Sequence, residues 1–198
     1  MTKRIPNLIT ISRVILTCLL NAYILNNLGR VLVPIVISLL IFLSDFTDGK
    51  AARISGNTSR FGATFDVVAD LFYIVASYGT LIYLKIAPFW FLTVILFKFI
   101  EFVITSFLLK RHSRVNAMFV FDFIGRFTII LFYVAPLLIY VSFQLSLTVN
   151  TFISQALTYG ATATTITSTV YRIWKVVEQK ELVKKVKYNK YICQKLNQ

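Results

Sequence analysis

The chain has 198 residues, of which 57% are hydrophobic and 15% charged, and its net charge is +13. A soluble globular domain is about 45–50% apolar and about 25% charged, so the composition excludes an ordinary soluble domain and points to a polytopic membrane protein. The basic excess does not indicate nucleic acid, because no interleaving of basic and aromatic residues and no binding motif accompanies it.

The basic opening, residues 1–13, leads into an apolar block with no small-residue cleavage site, so the first span reads as retained rather than as a signal peptide. The amphipathic stretch Ile5–Ile11 reads as an interfacial helix. A crossing needs about 20 mostly apolar residues. Six segments are expected to span: Arg13–Asn27, Val31–Phe46, Phe65–Leu84, Ile86–Leu109, Ala117–Phe143 and Leu147–Trp174. The tail after the last of these reads as an emerging basic helix. Cys18 and Cys193 are too far apart in kind and place to suggest a disulfide framework, and read as two free thiols.

Lysine and arginine alternate between loops. Lys3, Arg4 and Arg13 open the chain; Lys50, Arg53 and Arg60 follow the second span; Lys110, Arg111 and Arg114 follow the fourth; the tail holds eight more, from Arg172 to Lys195. The opposite loops hold only Arg30 and Lys85. Basic loops stay in the cytoplasm, which gives an even number of spans with both termini inside. The lysines of the tail would also be drawn to anionic lipid.

There are eight acidic residues. Glu178 and Glu181 are in the tail; Asp45, Asp48, Asp66, Asp70, Glu101 and Asp122 are in or beside spans. Placing a charge at mid-bilayer costs about 2.5–3.5 kcal/mol, so six of them call for a compensating role. Asp45 and Asp48 are three apart at the end of the second span, and Asp66 and Asp70 are four apart at the start of the third. Each pair therefore shares a helix face. Four close anions repel one another, and a divalent cation resolves this. Oxygen-only ligands suit Mg²⁺, Mn²⁺ or Ca²⁺ rather than zinc. Between the pairs, Gly49, Ala52, Gly56 and Gly62 admit close approach of a ligand. Arg53 and Arg60 can pair with phosphate oxygens, and the combination suggests a diphosphate site.

Written out, the segment is Asp45-x2-Asp48-Gly49-x2-Ala52-Arg53-x8-Gly62-x3-Asp66-x3-Asp70, eight fixed positions over 26 residues. It resembles the signature of the CDP-alcohol phosphotransferase family. The resemblance implies an all-α membrane domain over residues 1–175, with its catalytic motif at 45–70, and a basic cytoplasmic tail at 176–198. It implies two divalent ions, Mg²⁺ or Mn²⁺, on the four aspartates, with the diphosphate of a CDP-linked lipid held by them. Gly49, Ala52 and Arg53 would line the nucleotide site, with Ser59 and Gly62 beside it, and Asp70 would be the general base. The alkoxide of an acceptor alcohol attacks the lipid-side phosphorus and CMP leaves. Such proteins are commonly homodimers.

The run Ile5-Pro6-Asn7-Leu8-Ile9-Thr10-Ile11-Ser12-Arg13 is similar to the opening of phosphatidylglycerophosphate synthases and related cardiolipin synthases, which would place Asn7, Thr10 and Arg13 near the donor. The expected reaction is therefore transfer from CDP-diacylglycerol to a small polar alcohol, with glycerol 3-phosphate as the first choice and inositol phosphate, serine or another alcohol as alternatives. Lys98, Arg114 and Arg126 are the basic residues expected to hold an acceptor phosphate. Lys98 with Glu101 and Asp122 with Arg126 also read as structural pairs at i, i+3 and i, i+4. Readings of another class are a cation transporter and a non-catalytic scaffold. The expected location is the plasma (inner) membrane, with the active site facing the cytoplasm.

Overall fold

A computed structural model describes residues 5–54, 60–112 and 123–196; the side chains of 5–9, 45–54, 60, 61, 63, 109–112, 179 and 182–196 lie outside the description. The described residues form six helices and no strand: α1 Ile5–Asn26, α2 Leu32–Ile54, α3 Arg60–Tyr83, α4 Phe89–His112, α5 Phe123–Leu145 and α6 Leu147–Leu196. The expected all-α class is found.

Among the described residues three stretches are long and apolar enough to cross a membrane: Thr64–Tyr83, Phe89–Leu108 and Phe123–Leu145. The apolar parts of α1 and α2, Thr10–Asn26 and Leu32–Ser44, are shorter. In α6 the stretch expected to span is rich in hydroxyl residues. Its threonines turn their hydroxyls back onto the helix, as in Thr158 to the Ser154 carbonyl at 2.7 Å, Thr162 to the Thr158 carbonyl at 2.6 Å and Thr165 to the Ala161 carbonyl at 2.7 Å. A hydroxyl satisfied in this way needs no water.

The N-terminal end differs from expectation. No separate interfacial helix is found at Ile5–Ile11; the segment is the first part of α1. Pro6 falls in the first turn, where its missing N–H has no intrahelical acceptor to lose, and nothing later interrupts the helix. The basic tail, expected as an emerging helix, continues α6 as far as Leu196. α6 runs unbroken for 50 residues, about 75 Å at 1.5 Å per residue, because no Gly or Pro follows Gly160 within it.

α1 packs on α2 and α3, α6 packs on α4 and α5, and α3 joins the two groups through α4 and α5. The core between them includes Ile41, Tyr78, Phe91, Ile139 and Ala161, all fully buried. Large apolar residues such as Leu19, Phe97, Phe107, Phe152 and Val170 are exposed around the outside, which is the surface a lipid-embedded bundle presents.

Short connections fix this packing. α3 ends in a Schellman motif: the Ile86 N–H donates to the Leu81 carbonyl at 2.8 Å and the Lys85 N–H to the Ile82 carbonyl at 2.9 Å. Lys85 sits at the left-handed position, with φ of 59°, where Gly is the usual residue. Replacing Lys85 with Gly is expected to raise stability by about 1 kcal/mol, because the left-handed conformation costs a side-chain residue about 1–2 kcal/mol; thermal unfolding in detergent measures it. At the next turn but one, the Ser146 hydroxyl accepts the Val149 N–H at 3.1 Å and caps α6.

Candidate active site

Asp66 and Asp70 lie four apart on α3, and their common face meets α1. The Thr10 hydroxyl donates to Asp66 Oδ1 at 2.7 Å, and Arg13 Nη1 donates to Asp70 Oδ1 at 2.6 Å. Thr10 and Arg13 are three apart, so one turn of α1 engages one turn of α3. The second contact is an ion pair in which the arginine side chain is 1% exposed and the aspartate 29%. The guanidinium is thus held inside the helix interface while the carboxylate still reaches open space. Below it, Thr17 donates to the Arg13 carbonyl and Asn21 to the Thr17 carbonyl, both at 2.8 Å.

The open space beside Asp70 is a cavity of about 170 Å³ between α3, α4, α5 and α6. Most of its wall is apolar: Ile74 and Leu71 on α3, Ile95 and Phe102 on α4, Ile129 and Phe132 on α5. The charged residues among those lining it are Asp70, Lys98 and Arg172. These three residues come from α3, α4 and α6.

The two cations belong to a buried seam between α4 and α6. Lys98 Nζ donates to Glu101 Oε2 at 2.7 Å, to the Ser168 hydroxyl at 2.9 Å and to the Thr169 hydroxyl at 3.3 Å. Arg172 Nε donates to the Thr105 hydroxyl at 2.8 Å and lies 3.4 Å from Glu101 Oε1. Its Nη2 donates to the Ser106 hydroxyl at 2.9 Å and to the Phe102 carbonyl at 3.3 Å. The guanidinium carbon lies 4.9 Å from the centre of the Phe102 ring. Burying charge in an apolar bundle is costly unless it is paired and hydrogen-bonded, and both conditions are met here.

Of the residues expected at the site, Thr10, Asp66, Asp70 and Lys98 fall where these contacts and the cavity lie. Asp45, Asp48, Gly49, Ala52 and Arg53 fall on the last part of α2, and Asn7 on the first turn of α1; the side chains of these six lie outside the described residues. Ser59, Arg114 and Asp122 also lie outside them. Gly62 is in the first turn of α3. Arg126 is exposed on α5 and does not line the cavity, whose α5 wall begins at its neighbour Gly125. Among the described residues no three His, Cys, Asp or Glu side chains lie together.

On charge alone Arg172 reads as part of the basic tail, yet it is 2% exposed. A signal existed. Ser154, Thr158, Ala161, Thr165 and Ser168 form a stripe of small residues at helical spacing, all of them buried, and Arg172 continues it.

The sequence model of CDP-alcohol phosphatidyltransferase matches residues 3–167. The chain belongs to the CDP-alcohol phosphatidyltransferase family. The family transfers a phosphatidyl group from a CDP-alcohol to an acceptor and generally depends on divalent metal ions. Family membership makes the chain a transferase of phospholipid biosynthesis in the membrane, which sets aside the transporter and scaffold readings. The match covers Thr10, Arg13, the four aspartates, Lys98 and Glu101, and it ends before Ser168 and Arg172. No curated protein matches the chain.

Proposed function

We propose that the protein transfers the phosphatidyl group of CDP-diacylglycerol to glycerol 3-phosphate, in the manner of the phosphatidylglycerophosphate synthase-like branch. The observation that carries this reading is the shared cavity: Asp70, Lys98 and Arg172 are the charged residues among those that line it. An acceptor phosphate bound by two cations brings its hydroxyl toward a carboxylate, and fixing that approach supplies much of the rate.

Asp70 takes the proton of the acceptor hydroxyl. The oxygen forms a bond to the lipid-side phosphorus, the bond from that phosphorus to the bridging oxygen breaks, and CMP leaves with the electron pair. Arg13 holds one oxygen of Asp70, at 2.6 Å, and so orients the carboxylate that receives the proton. Thr10 fixes Asp66 in the same way. Asp45, Asp48, Asp66 and Asp70 would hold two divalent ions. Asp66 and Asp70 fit such a role: an all-oxygen, hard donor pair on one helix face suits Mg²⁺ or Mn²⁺. When bound, the ions neutralise the diphosphate and stabilise the departing CMP. Gly49, Ala52, Arg53, Ser59, Gly62 and Asn7 would take the nucleotide end of the donor. Lys98 holds the acceptor phosphate, with Arg114 and Arg126 as further basic candidates for the acceptor. Six spans with both termini and the active site on the cytoplasmic side of the plasma membrane, and a homodimer, complete the proposal. The alternation of basic and non-basic loops supports the orientation.

The test is release of CMP from CDP-diacylglycerol by the purified full chain with Mg²⁺ or Mn²⁺ and a panel of acceptors. Glycerol 3-phosphate is expected to give the highest kcat/KM. A higher value with serine or another unphosphorylated alcohol would refute this choice of acceptor, and turnover with metal fully chelated would refute the role of the ions.

A further inference from the structure

Glu101 has no part in the reaction as written. Its side chain is 7% exposed, its Oε2 accepts Lys98 Nζ at 2.7 Å, and its Oε1 lies 3.4 Å from Arg172 Nε. Both cations line the cavity and Glu101 does not. One carboxylate thus pairs with two cationic residues that come from different helices and line the same cavity.

Two consequences follow. The bridge sets the spacing of the ammonium and the guanidinium across the α4–α6 seam, with hydroxyls of Thr105, Ser106, Ser168 and Thr169 completing their coordination. It also cancels one of the two positive charges. Without it, an anion arriving in the cavity would itself be the counter-charge of both cations and would be held far more tightly. A phosphate that must leave again as part of a product is better served by partial neutralisation, since uniform tightening of ground-state binding gains nothing in turnover.

We propose that Glu101 is a positioning residue for the acceptor, bridging Lys98 and Arg172 so that their spacing is fixed and their pull on a phosphate is moderated. The proposal rests on the reading that the acceptor phosphate enters this cavity. A purely structural ion pair makes a different prediction: removing its carboxylate would loosen the seam and weaken or leave unchanged any anion binding.

The experiment compares wild type, Glu101→Gln and Glu101→Asp as full chains in detergent micelles. Inorganic phosphate is the probe, read by its shift of the thermal midpoint, and steady-state KM is measured separately for donor and for glycerol 3-phosphate. Glu101→Gln is expected to bind phosphate about tenfold more tightly, the scale on which a unit charge acts over a few ångströms at a partly solvated site. Its KM for glycerol 3-phosphate falls with it, while the donor KM stays within about twofold and Glu101→Asp returns both values toward wild type. Should Glu101→Gln fail to fold alone, preparing it in phosphate supplies the missing counter-charge; a protein folded in phosphate and lost on its removal supports the proposal, and one lost under both conditions overturns it. Phosphate affinity equal to or weaker than wild type in a protein that turns over overturns the positioning role alone. Tighter phosphate binding in a protein that releases no CMP with glycerol 3-phosphate supports the positioning role and overturns the acceptor instead.

Discussion

Asp70→Asn is expected to lower the rate of CMP release by about 10²–10⁴-fold, the span that general-base catalysis contributes. The substitution is close to isosteric. Its amide oxygen can still accept the Arg13 Nη1 hydrogen bond that Asp70 Oδ1 accepts at 2.6 Å, so the α1–α3 crossing is retained. The amide lacks the means to take a proton from an alcohol, and it offers a poorer ligand to a divalent ion. The buried guanidinium of Arg13 does lose its anionic partner, and some fall in the thermal midpoint is expected for that reason. Turnover is therefore compared per folded molecule, with far-UV circular dichroism as the control. Asp70 lines the same cavity as Lys98, so the KM for the acceptor is a second readout: it should change little, because the cations proposed to bind the acceptor are untouched. Rates within about threefold of wild type would remove Asp70 as the base.

Much of the fold was legible because it rests on composition over long windows. The stretches that became the apolar parts of α3, α4 and α5 are about 20 residues of apolar sequence each, and hydropathy sees them directly. The spacing of Asp66 and Asp70 was equally plain, since four residues make a helical turn. Less visible was what those residues touch. Thr10 and Arg13 were placed near the donor by resemblance, but their pairing with Asp66 and Asp70 depends on how α1 crosses α3. That crossing is a property of two packed surfaces, and no spacing within one segment encodes it. In α6 the stretch expected to span, Leu147–Trp174, is rich in hydroxyl residues, and those bonded to carbonyls of their own helix need no water. Its arginine near the end was counted as a cytoplasmic charge, although Arg172 continues the buried stripe of Thr158, Ala161, Thr165 and Ser168. The pairing of Lys98 with Glu101 was read from their i, i+3 spacing and is found at 2.7 Å; the third member of that group lies 71 residues further along the chain than Glu101 and could come only from tertiary structure.

Arg172→Met is expected to destabilise the protein by about 3–5 kcal/mol, the scale for breaking a buried, hydrogen-bonded charge group by removing one partner. Lys98 remains 2.7 Å from Glu101, so Glu101 does not become an isolated charge. The loss arises elsewhere. The Thr105 hydroxyl, the Ser106 hydroxyl and the Phe102 carbonyl each lose a charged donor, and hydrogen bonds to charged groups are worth about 1.5–3 kcal/mol each before their mutual dependence is allowed for. The guanidinium also leaves the face of Phe102. Arg172→Lys should recover only part of this, because an ammonium is a point charge and lacks the planar fork that reaches Thr105 and Ser106 together. The two substitutions separate stability from function. Equilibrium unfolding in mixed micelles measures the first. For the second, Arg172→Lys keeps a cation at the cavity and should raise the acceptor KM modestly, whereas Arg172→Met removes one of two and should raise it about tenfold or more, with the donor KM held. A loss of stability under about 1 kcal/mol in Arg172→Met would mean that α6 is held to α4 by its hydroxyl stripe and apolar packing rather than by this guanidinium.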